Sequence, residues 1–95
     1  MHAVIVEVDT SGAERETALK RLQEEIIPTI KQAPGFQSGT WTGGPRAEDR
    51  KGLALVVFDT EENAQAAANR LAVGENPQPG VTVERSEVRE VVATA

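Results

Sequence analysis

The stretch Leu53-Ala54-Leu55-Val56-Val57-Phe58 decides the fold, because all six of its side chains are apolar. Successive side chains of a strand point to opposite faces. Ala54, Val56 and Phe58 therefore make one face, while Leu53, Leu55 and Val57 make the other. The segment Ala3 to Val8 (Ala-Val-Ile-Val-Glu-Val) behaves in the same way, with Val4, Val6 and Val8 set against Ala3 and Ile5. Two strands that are apolar on both faces need cover on both faces.

Outward from these strands, the order of elements is legible. Asp9 to Gly12 forms a turn, and Ser11 and Glu14 stand at the spacing of a helix capping box. Ala18, Leu19, Leu22, Ile26 and Ile30 follow at helical spacing as one apolar stripe. Pro28 lacks a donor and its ring clashes with the carbonyl of Glu24, so the pattern predicts a kink or restart there. Pro34-Gly35 ends the helix. Phe36 to Thr42 reads as a second strand, and Gly43-Gly44-Pro45 opens a polar turn running through Arg50. After the Leu53 strand, Asp59 and Glu62 offer another capping box, and Ala64, Ala67, Ala68 and Leu71 line a second helix. Gly74 to Gly80 is a loop. Val81 to Val92 is a long last strand, bulged or at an edge.

The resulting order βαββαβ predicts one α+β domain over residues 1–95 with a ferredoxin-like plan. Such a fold has a four-stranded antiparallel sheet with two helices on one face. The helices cover only one side. Several wet aliphatic side chains on the other would forgo several kcal/mol at about 25 cal/mol per Å2. A second copy packed sheet against sheet is the expected cover, with Ile5, Leu53, Leu55 and Val57 at the interface.

Composition narrows the function. The 95 residues carry a net charge of −5, which repels phosphate backbones and argues against nucleic acid. There is no Cys, which removes disulfides, thiolate zinc sites and cysteine nucleophiles. No apolar run approaches the ~20 residues of a membrane span, and no N-terminal stretch reads as a leader, so a cytoplasmic protein is expected. His2 is the sole histidine, placed at a terminus expected to fray, and no partner is apparent for catalysis or metal binding. Glu24-Glu25 and Glu61-Glu62 are adjacent on helices and do not face each other. Arg46, Glu48, Asp49, Arg50 and Lys51 read as a solvated hairpin of mixed charge, with an anion gate as the sharper alternative. No metal and no cofactor are expected.

Pro34-Gly35-Phe36 after a long first helix, Trp41 five residues later, Thr60-Glu61-Glu62-Asn63-Ala64 after the third strand and the Val-rich last strand carry a resemblance. The chain resembles the dimeric α+β barrel superfamily, and within it the antibiotic-biosynthesis monooxygenase-like group. That resemblance implies an obligate homodimer with a cleft between sheet and helices in each subunit. Some members of the group oxidise aromatic polyketides with molecular oxygen and neither metal nor flavin, and others degrade haem. An amide and a Trp at the spacing of Gln37 and Trp41 hold the substrate or oxygen in such oxygenases, with Gln37 replacing the usual Asn. Haem-degrading relatives need a histidine on or near the second helix, and Asn63 to Leu71 has none.

Lys51 to Phe58 also resembles the third strand of RNA-recognition motifs. Base stacking there requires aromatic rings where this chain has Leu53 and Leu55, so the likeness is one of topology. Two functions stand side by side at this point. One is a cofactor-independent monooxygenase acting on a small hydrophobic or aromatic molecule near Trp41 and Gln37. The other is a non-catalytic ligand-binding or dimerisation module, with Trp41 as an anchor of core or interface.

Overall fold

Strands and helices alternate in the expected order. The computed structural model describes all of residues 1–95. Its strands are β1 (His2–Asp9), β2 (Phe36–Gly43), β3 (Lys51–Phe58) and β4 (Thr82–Glu90). Between β1 and β2 lie α1 (Arg15–Arg21), a π-helical turn over Leu22–Ile26 and α2 (Ile27–Lys31); α3 (Glu61–Arg70) precedes β4. The sheet is antiparallel throughout, in the order β2-β3-β1-β4. This is the ferredoxin-like plan, with the two most apolar strands in the middle.

The core lies on the side of the sheet that α3 covers. Val4, Val6, Val56, Phe58 and Val83 pack there against Ala64 and Ala68 of α3. Alanines let the helix lie close to the strands, and Ala64 has no exposed surface at all. Phe36 meets Phe58 edge to face with centroids 6.4 Å apart, closing one end of this core.

Both helix starts differ from the expected capping boxes. The Asp9 carboxylate accepts the Ser11 N–H at 2.7 Å, which commits Ser11 to the turn. Glu14 then caps α1, accepting from the N–H groups of Glu16 and Thr17. At α3 the cap is Thr60, whose hydroxyl accepts from Asn63 N–H at 3.1 Å. Asp59 is occupied elsewhere, accepting from the Asn63 side chain at 2.8 Å.

Pro28 produces the expected restart, by a specific route. Ile27 N–H reaches back five residues to Leu22 O, so the helix widens just before the proline. A new α-helical turn begins with Pro28 in its first turn, where a missing N–H costs little. The Thr29 hydroxyl donates to Glu25 O at 2.8 Å.

The face turned away from α3 is less uniformly apolar than the third strand alone suggests. Directly paired residues share a face, so Leu53, Leu55 and Val57 sit beside Thr42, Thr40 and Ser38 of β2. On the other side Ala3, Ile5 and Glu7 sit beside Arg89, Glu87 and Arg85 of β4. An apolar centre is thus framed by hydroxyl groups along one edge and charges along the other. Within the single chain Ala3 and Val57 are already buried, whereas Leu55 is 39% exposed. Arg85 bridges Glu7 and Glu87 at 3.3 and 3.1 Å, and Arg89 reaches Glu87 at 2.7 Å. Exposed pairs of this kind add little stability individually. They leave the edge strand polar, which discourages open-ended strand addition.

Candidate functional site

Most of the apolar stripe of the first helix stands off the sheet, Ile30 being the one of its five residues that packs against the core cluster. No residue of α1, the π turn or α2 is fully buried. Ala18, Leu19, Leu22, Ile26 and Ile30 instead line one wall of a cavity of about 220 Å3. Val6, Val8, Ala54, Val56 and Trp41 form the opposite wall on the sheet, with Leu71, Pro77 and Val81 contributing further apolar surface. The space exceeds the ~150 Å3 apolar cavity known to accept benzene.

Local structure explains why the helix stands away. The π turn falls within the segment carrying Leu22 and Ile26, and Pro28 prevents a regular helix from continuing through it. Two loops hold the helix at this height. Gln78 Nε2 donates to Ala18 O at 3.2 Å, tying the Gly74–Gly80 loop to α1. Gly80, at φ +80°, lies so close to the Gly12 backbone that a Cβ there would collide with it. That loop therefore forms part of the cavity wall and is more than a plain connection.

Of Gln37 and Trp41, only Trp41 lines the cavity. The β2–β3 register shifts between Phe36 and Ser38, leaving Gln37 as the extra residue of a bulge. Gln37 is exposed and is not among the cavity-lining residues, whereas Trp41 is half-buried and lines the wall. The space above Gly39 is occupied by the Trp41 ring: a Cβ on Gly39 would sit 2.5 Å from the indole Cη2.

The ionisable groups of the lining are Arg15, Asp49, Arg50 and Lys51. Arg50 is not merely solvated. Its guanidinium donates to Thr10 O at 3.1 Å and to Ala13 O, clamping the β2–β3 hairpin to the loop that precedes α1. Lys51 donates to Glu84 at 2.7 Å and to Asp9 at 3.4 Å, and its hydrogen bond to Glu84 raises its pKa above the usual lysine value. Asp49 accepts from Arg46 N–H at 3.1 Å. Glu14, beside this rim, is held below the usual carboxylate range, first by the Thr17 hydroxyl and then by backbone N–H groups.

His2 is not frayed. It belongs to β1, opposite Phe58 and Glu90, with Nε2 3.2 Å from Glu61 Oε2. It is not among the residues that line the cavity. No group of three or more His, Asp or Glu side chains comes together to hold a metal ion. No helix is long and apolar enough to cross a membrane.

Arg15 and Gln78 are rim residues that sequence reasoning passed over. Arg15 stands just ahead of the apolar stripe, which is the one signal that could have marked it. Comparison with known proteins adds nothing to this geometry: no protein-family model and no curated protein matches the chain.

Proposed function

We propose that this protein is a homodimer that holds a small hydrophobic or aromatic molecule in the cavity between its first helix and its sheet. The observation that carries the reading is the five-residue stripe from Ala18 to Ile30 facing that cavity from residues none of which is fully buried. An apolar concavity with a few polar groups at its rim is the usual form of a small-molecule site. Trp41 on the wall offers a flat surface to an aromatic guest.

The dimer reading rests on the sheet face around Leu55. Strands of about eight residues at ~3.3 Å rise, four abreast at ~4.8 Å, give a flat footprint of roughly 500 Å2. Side chains standing off that plane bring the buried area toward the ~800 Å2 per subunit of a stable interface. A two-fold partner would lay its own apolar centre on Leu53, Leu55 and Ile5 and leave the charged β4 edge at the rim.

Trp41 is the sole tryptophan, so its fluorescence reports the cavity directly. Titration with naphthalene or an anthrone is expected to give saturable quenching; a linear, non-saturable response across such compounds would refute the site. Parallel incubations of the anthrone under air and under nitrogen distinguish the two activities considered above. Oxygen-dependent product formation supports a cofactor-independent monooxygenase, and saturable binding without product supports a ligand-binding module.

A further inference from the structure

We propose that the molecule held in the cavity is an amphipathic acid: an apolar body inside, and one carboxylate at the rim beside Arg15 and Arg50. This inference rests on the binding function proposed above and adds the chemical class of the ligand.

The chain as a whole is acidic, with a net charge of −5. The cavity lining runs the other way, with three basic groups, Arg15, Arg50 and Lys51, against one acid, Asp49. Lys51 is offset by its own partners, Asp9 and Glu84. Arg50 is anchored by backbone carbonyls alone, through a single nitrogen that donates to Thr10 O and Ala13 O. Carbonyls orient a guanidinium without cancelling its charge, and the donors on its other nitrogens remain for a guest. Arg15 has no carboxylate within ion-pairing distance, and it follows Ala13, the residue Arg50 is clamped to, by two positions. The nearby Glu14 carboxylate is hydrogen-bonded to Thr17 and to the N–H groups that begin α1, and it interacts with Arg50 through charge alone, without an ion-pair contact. Two arginines thus stand at an apolar cavity with no carboxylate in ion-pairing contact, Glu14 lying only near enough to Arg50 to feel its charge. A planar carboxylate is what a guanidinium binds best.

The inference predicts discrimination between molecules of one shape that differ in charge. Trp41 fluorescence titrations with 2-naphthoate and with 2-naphthalenemethanol supply the matched pair. The carboxylate is expected to bind about tenfold more tightly or better at low salt, the range of a charge-assisted hydrogen bond. Raising ionic strength should narrow that ratio, because the rim is exposed to solvent. Arg15→Gln removes one charge at an exposed position and should reduce the ratio of acid affinity to alcohol affinity. Arg50→Lys keeps the charge but loses the planar fork, and should do the same provided the far-ultraviolet spectrum is retained. Equal binding of acid and alcohol overturns the inference and leaves the cavity's apolar function standing. Failure of both to saturate overturns the inference together with the binding function beneath it.

Discussion

The indole of Trp41 folds back across Gly39, its neighbour two positions earlier on the same face of β2, so that ring atoms occupy the space a Cβ at Gly39 would need. The missing side chain is what lets the ring lie flat against the sheet and serve as cavity wall. Gly39→Ala should force the ring outward into the cavity, at a cost of about 1–3 kcal/mol typical of overpacking. A shifted Trp emission and altered near-ultraviolet dichroism, with far-ultraviolet dichroism retained, are the expected signs. Wild-type emission in the variant would contradict this placement of the ring.

Leu55 is the most exposed large side chain at the centre of the open sheet face. Leu55→Glu should convert the proposed dimer to monomers without unfolding them, since the substitution lies on the side of the sheet away from α3. Sedimentation velocity at micromolar concentration reads the outcome directly. A wild-type protein that sediments as a lone subunit would remove the homodimer.

Acid should destabilise the fold in a window set by its capped carboxylates. Glu14 is lowered from its ordinary value, chiefly by Thr17, Asp9 by Ser11 and Glu87 by Arg89. Each binds protons less readily folded than unfolded. Their stabilisation is therefore complete above the ordinary carboxylate range, about pH 4, and lost as pH falls through the folded values. Urea midpoints measured from pH 6 to pH 3 should fall, and Glu14→Gln should flatten that fall. An identical slope in the variant would exclude Glu14 from the effect.

Ala64 is the most deeply buried residue of α3. Ala64→Leu should lower stability by about 1–3 kcal/mol, because the helix cannot rise without parting from Phe58 and Val4. Ala66→Leu, on the exposed side of the same helix, is the matched control and should stay within about 0.5 kcal/mol of wild type. Chemical denaturation of both variants settles the comparison.

The fold was legible because its signals are periodic. Alternation in β1 and β3, a helical stripe from Ala18 to Ile30 and a run of alanines in α3 each report one element and its inward face. Caps were misread by a few positions, since a carboxylate such as Asp9 or Asp59 has several donors within reach and pattern alone does not choose among them. Gln37 lies outside the cavity lining, at a bulge of one residue that breaks the strict alternation on which counting along β2 depends. The cavity left no mark in the pattern, because an apolar stripe reads the same whether it packs on a sheet or stands away from it. The rim was legible in part: the hairpin charges around Arg50 suggested an anion gate, whereas Arg15 and the two backbone carbonyls that anchor Arg50 belong to no side-chain motif.

The shallow seating of the first helix has a consequence for local opening. Amide groups from Arg15 to Lys31 are secured by the helix's own ladder and by a few loop contacts, with no fully buried side chain beneath them. Such a segment opens at a small fraction of the free energy needed to dismantle β1, β3 and α3. The first helix is thus less deeply seated than those three elements, and hydrogen exchange is expected to be faster in its amides than in those of β1, β3 and α3.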